Sequence, residues 1–113
     1  MGRSLVALLA LVASPALAQG DLTVNGQGRG AQLVAGWEQT LARSPNDIEA
    51  LVNLGMAYRA LGREDDARAM LTRVVALDNT VLQDRVGTDV WSRSLARDAL
   101  RNPGARPVTV AAR

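Results

Sequence analysis

Apolar residues recur at three- and four-residue spacing in three successive stretches, separated by proline, glycine and acidic clusters. Leu33, Val34, Trp37 and Leu41 mark the first, which predicts an amphipathic helix of about three turns over 31–43. Arg43 sits in its last turn, where a cation suits the helix dipole, and Pro45 stops it. Asn46-Asp47 then offers a cap for the second helix, Ile48 to Leu61. There Leu51, Leu54, Gly55 and Tyr58 share one face, with Ile48 at its start and Leu61 at its end. Gly62 ends that helix in the left-handed conformation glycine permits.

Glu64, Asp65 and Asp66 open the third helix with negative charge, which the macrodipole favours. It runs to about Leu77 and is expected to bury Ala67, Met70, Leu71, Val74, Val75 and Leu77. Gly55 and Ala67 are small enough to let the second and third helices approach closely. Beyond Asn79 the helical period disappears. Thr80 to Trp91 is rich in β-branched residues, and Asp84-Arg85-Val86-Gly87 fits a type I turn closing with left-handed glycine. The expectation is a short two-stranded hairpin; an irregular loop or a helix opening at Thr88 are the alternatives. Ser92 is expected to cap a last helix, Arg93 to about Asn102, burying Leu95, Ala96, Ala99 and Leu100. Pro103-Gly104 ends it, and 103–113 reads as a frayed, solvated tail.

The second and third helices together resemble a tetratricopeptide repeat. The family's 34-residue unit places a large apolar residue, Leu-Gly and Tyr on its first helix. A turn glycine follows, and the second helix carries alanine, a large apolar residue, another small residue and a closing Leu-Asp-Pro. Here those places fall to Leu51, Leu54-Gly55, Tyr58, Gly62, Ala67, Leu71, Val74 and Leu77-Asp78-Asn79. Leu51 replaces the usual tryptophan, Val74 an alanine and Asn79 the proline. One period upstream of Asn79 lies Pro45, so 31–43 resembles the back half of a degenerate repeat. The resemblance implies an all-α fold, a tetratricopeptide-like stack of about four antiparallel helices over 31–102, with a full repeat at 48–81.

It also implies protein or peptide binding on the concave face lined by first helices of the repeats. Glu49, Val52, Asn53, Met56, Arg59 and Ala60 would form that face. An amide, a thioether, a guanidinium and a carboxylate suit such contacts: Asn53 could bond a partner's backbone and Arg59 a carboxylate.

The first eighteen residues read as an address rather than structure. Arg3 precedes an apolar run from Leu5 to Val12, and Ala16-Leu17-Ala18 offers small residues at a cleavage point. This is the pattern of a secretory signal peptide cleaved after Ala18. Pro15 interrupts the run well short of the roughly 20 apolar residues that span hydrocarbon. The expected location is therefore periplasmic or secreted, without stable membrane insertion after cleavage. Arginine in place of lysine and abundant alanine suit a GC-rich bacterial genome. Residues 19–30 are glycine-rich and read as a flexible leader; "GQGRG" there lacks the buried strand that a phosphate-cradling loop needs.

Composition narrows the chemistry. The 113 residues contain no cysteine or histidine, so disulfides, the commonest metal ligands, and thiol or Ser-His catalysis are excluded. A pI near 10.4 suggests nucleic acid, yet thirteen basic residues, all arginine, face eleven acids, and net charge is only +2. A mixed-sign solvated surface is the better reading, and no nucleic-acid partner is expected. Glu64-Asp65-Asp66 cap a helix rather than form a paired-carboxylate site, so the chain is expected to be no enzyme and to need no cofactor. A single repeat buries its apolar face poorly, and about three are usually needed for stability. Self-association, with Trp37 or Trp91 covering an open end of the stack, is thus a second expectation. An uncleaved, membrane-tethered scaffold is the alternative to the exported module.

Overall fold

The computed structural model describes residues 27–113; the expected signal peptide and most of the leader lie outside the described residues. Helix α1 (Gln27–Arg43) opens earlier than the apolar pattern indicated, taking in Gly28 and Gly30 of the expected leader. Close packing explains this extension: a Cβ on Gly30 would stand 2.9 Å from the Leu61 side chain, so a bare backbone lets the first turn lie against the end of the next helix.

Helix α2 (Ile48–Ala60) begins where Asp47 accepts the Ala50 N–H at 3.1 Å, and Gly62 leaves it at φ +79°. Helix α3 (Glu64–Ala76) carries its three acids in the first turn. Its Leu71 and Ala67 lie against Gly55, where a Cβ would come within 3.2 Å of Leu71 Cγ. The small-residue contact expected between the two helices is therefore present.

After α3 the chain forms the hairpin: β1 (Val81–Gln83) pairs antiparallel with β2 (Asp89–Trp91). The Gly87 N–H donates to the Asp84 carbonyl, and Gly87 adopts φ +84°, as the turn sequence requires. The Asp84 carboxylate fixes the turn further by accepting the N–H groups of Val86 and Thr88.

Helix α4 (Ser92–Arg101) starts one residue early, and its cap is not the expected one. The Ser92 hydroxyl accepts the Thr80 N–H at 2.9 Å and so faces the hairpin. Asn79, standing where the repeat pattern has proline, accepts the Arg93 N–H at 3.0 Å instead. No described helix is long and apolar enough to cross a membrane.

The segment after α4 departs most from expectation. It is not a frayed tail: β3 (Ala111–Ala112) adds to the free edge of β1, giving a three-stranded antiparallel sheet in the order β2-β1-β3. Val110 is buried at 6 % exposure, among core residues of α2, α3 and α4. The described fold is thus a mostly helical stack, α1-α2-α3-α4, closed at one end by a small sheet.

Two apolar clusters meet on different faces of α2. Leu54 and Tyr58 join Val34 and Ala67 toward α1 and α3. Leu51, Val52 and Met56 join Leu71, Val74, Leu82, Ala96 and Val110 toward the sheet and α4.

Candidate functional site

The face expected to receive a partner is the inner side of α2, and the structure covers it. Val52, Asn53 and Met56 are buried, Glu49 is partly buried, and Ala60 alone of the six is exposed. The expected exposure fails because the segment around Val110 and helix α4 cover this side of α2, whose middle carries no continuous polar stripe. Ala50 to Met56 is apolar throughout apart from Asn53, and a helix apolar all round is buried all round.

What lies over Asn53 is main chain. Its side-chain NH2 donates to the Val110 carbonyl at 2.8 Å, while its Oδ1 accepts the Val110 N–H at 2.9 Å. Both hydrogen bonds are buried, and Asn53 is only 2 % exposed. A carboxamide aligned with a peptide unit in this way imitates one step of a β-ladder. It recognises extended backbone regardless of side chain, and the next two residues continue the pairing on Gln83 and Leu82 of β1.

Arg59, one and a half turns further along α2, is also occupied. Its Nε and Nη2 bond both carboxylate oxygens of Glu64 at 2.9 and 2.7 Å, and its Nη1 donates to the Ala99 carbonyl at 3.0 Å. The Arg59 side chain is 6 % exposed, against 38 % for Glu64. The hydrogen bond from Arg59 holds the Glu64 carboxyl below its usual range, with partial desolvation opposing. This fork joins α2, α3 and α4, so the guanidinium is engaged within the fold rather than presented to solvent.

Toward α1, Tyr58 donates to Glu38 at 2.6 Å, and the Arg63 guanidinium lies 4.3 Å from the centre of its ring. Burial, then the Glu38 hydrogen bond and charge, push the phenol up to about 12. Leu51, Leu54, Gly55, Tyr58, Ala67 and Leu71, the repeat-signature positions, are all buried, and Gly62 makes the turn.

The model of the tetratricopeptide repeat matches residues 37–83. This stretch belongs to the tetratricopeptide repeat family. The match runs from Trp37 of α1 through the α2–α3 pair to the end of β1, so the half repeat and the full repeat are both touched by it. Tetratricopeptide repeats generally serve protein–protein interaction and are typically non-catalytic. No curated protein and no solved structure matches the chain.

Within the repeat, then, Asn53 sits on the inner helix and grips the residue that leads into β3 of the same chain. Val110, Glu64 and the Ala99 carbonyl complete this face, and the residue pattern had not singled them out for it. A signal for Val110 did exist. Val108-Thr109-Val110 alternates β-branched apolar and polar residues, the period of a strand, within a stretch whose proline, glycine and arginines suggested a tail. Among the described residues, no cluster of three or more acidic side chains could hold a metal ion.

Proposed function

We propose that the chain is an exported, non-catalytic protein–protein interaction module of the tetratricopeptide repeat type, which holds extended polypeptide against the inner face of α2. The observation that carries this reading is the paired hydrogen bond between Asn53 and the Val110 peptide unit. A buried amide reading main chain in both directions is a peptide-recognition device, and the adjoining edge of β1 extends it by strand addition. Export is supported by the basic start, short apolar run and small-residue cleavage pattern of residues 1–18.

Two measurements test the reading. Intact mass of the protein recovered from the cell envelope fraction is expected to correspond to a chain starting at Gln19. Retention of the N-terminal eighteen residues would remove the export claim. Crosslinking in that compartment, followed by capture of the full chain, is expected to retain a polypeptide partner that heat-unfolded protein does not. Failure to retain any partner would remove the interaction claim.

A further inference from the structure

The segment that occupies the inner face is held at few points. Residues 101–109 are exposed throughout, and Val110 is the one buried side chain between Arg101 and Arg113. Its main chain is tied at the Ala105–Asn102 turn, at the Asn53 pair and at two positions of β1. Arg113 adds an ion pair with Asp89 at 3.3 Å, both side chains being about half exposed. Few buried contacts and an exposed approach are the marks of a segment that opens separately from the rest of a fold.

The segment also underfills its groove. A cleft of about 250 Å³ separates it from the hairpin tip at Asp84, Arg85 and Val86. A second, of about 170 Å³, lies between it, Met56 and Arg59 of α2, and Leu95 and Asp98 of α4. Val108 borders both clefts and fills neither. The receiving side, in contrast, is built into the core: Asn53 is buried, and the Leu82 side chain of β1 is buried in the same apolar cluster as Val52 and Met56 of α2.

We propose that residues 107–112, which end in the two-residue strand β3, are a resident segment which an extended segment of a partner polypeptide replaces. This rests on the reading of the inner face as a docking surface and names what docks there. The incoming segment carries a β-branched residue at the Val110 site and a bulkier apolar residue than Val108 two positions before it. A basic residue at the place of Arg113 meets Asp89. Main-chain bonds to Asn53 and β1 supply affinity, and the Val110 pocket with its neighbouring clefts supplies selection. Opening without replacement leaves the Asn53 amide and the β1 edge unpaired, so exchange is favoured over vacancy. Apparent affinity is scaled by the fraction of molecules in which the resident segment is out.

The test uses the full chain and two labelled peptides: Arg-Pro-Val-Thr-Val-Ala-Ala-Arg, which copies residues 106–113, and its counterpart with phenylalanine at the Val108 place. Val110→Asp weakens the resident segment and is expected to raise affinity for both peptides at least tenfold, with the phenylalanine peptide the tighter. Adding Asn53→Ala to Val110→Asp is expected to abolish binding. A Val110→Asp chain that keeps its helical circular dichroism yet binds neither peptide overturns the proposal. Hydrogen exchange on the unaltered chain decides the matter even if that variant fails to fold. The Val110 amide is expected to exchange at least a hundredfold faster than the central amides of α2, and equal protection overturns the proposal. So does a stable dimer that takes up neither peptide, which would assign the groove to a second copy. A partner captured by crosslinking and undisturbed by excess peptide sinks the exchange while leaving the interaction reading standing.

Discussion

The Tyr58 hydroxyl donates a 2.6 Å hydrogen bond to Glu38, tying α2 to α1. With burial as the larger cause, this contact keeps the phenol protonated up to about pH 12. An unfolded tyrosine ionises near 10, at about the model-peptide value. The folded pKa is raised, so the stabilisation is fully present below pH 10 and is lost as pH rises from there through 12. It amounts to at most about 2–3 kcal/mol. The chain has one tyrosine, so phenolate absorbance reports this group alone. The midpoint is expected near 12 in the folded protein and near 10 in denaturant. Glu38→Gln is expected to lower the folded midpoint while leaving it above 10.

At the opposite end of the pH scale Glu64 acts with the reverse sign. Its pKa is lowered by Arg59, so its contribution is present above the ordinary carboxylate range and is lost as pH falls through the depressed value. Glu64→Gln is expected to destabilise the protein at neutral pH and to flatten the acid limb of its stability curve. Urea midpoints collected from pH 7 downward measure both effects.

Two helical glycines should respond oppositely to alanine. At Gly55 the added Cβ meets Leu71 Cγ at 3.2 Å and the Ala67 carbonyl oxygen at 3.4 Å, whereas at Gly36 nothing lies within 4 Å. Alanine gains about 1 kcal/mol of helix propensity over glycine at either site. Gly36→Ala is expected to stabilise by about 0.5–1 kcal/mol, since that gain is unopposed. Gly55→Ala adds overpacking worth about 1–3 kcal/mol and is expected to destabilise on balance. Paired urea titrations discriminate them.

Asn53→Ala removes both hydrogen bonds to Val110 and leaves its N–H and carbonyl buried without partners. A loss of about 2–4 kcal/mol is expected from two such groups. It should appear as a lower urea midpoint with an unchanged slope, provided unfolding remains a single transition.

Restoring the family's proline is expected to harm this chain. Asn79→Pro deletes the acceptor for the Arg93 N–H at the start of α4, a capping loss of about 1 kcal/mol. Asn79→Asp keeps an acceptor and adds charge favourable to the helix N-terminus, so it should be neutral or stabilising. Thermal melts resolve the difference, because about 1 kcal/mol moves the midpoint of a small domain by roughly 4–8 °C.

The helices were legible in the sequence because their information is local. Asp47, Gly62 and the acids at 64–66 mark ends within a few residues of the apolar stripes they bound, and Asp84 to Gly87 defines its own turn. The occupancy of the inner face was not legible. It depends on Asn53 meeting a residue 57 positions away, and no local period encodes that meeting. The six-residue docking face inferred from the family assumed an α2 open on one side. Val52 and Met56 argued against that assumption by being apolar where a solvated helix would be polar. Asn79 hid its role in the same manner: as a departure from the repeat it looked like turn variation, yet its partner lies across the hairpin.

The separation of Asn53 and Val110 along the chain also bears on how the protein folds. α1, α2 and α3 can assemble from contacts close in sequence, which favours speed. The second apolar cluster, however, lacks Leu82, Ala96, Ala99 and Val110 until the chain has been made that far. A polypeptide emerging from its N-terminal end is therefore expected to pass through a stage in which one side of α2 stays wetted while the other is already packed. Val52 and Met56 are on offer to neighbouring chains throughout that interval, and it closes when Val110 reaches Asn53.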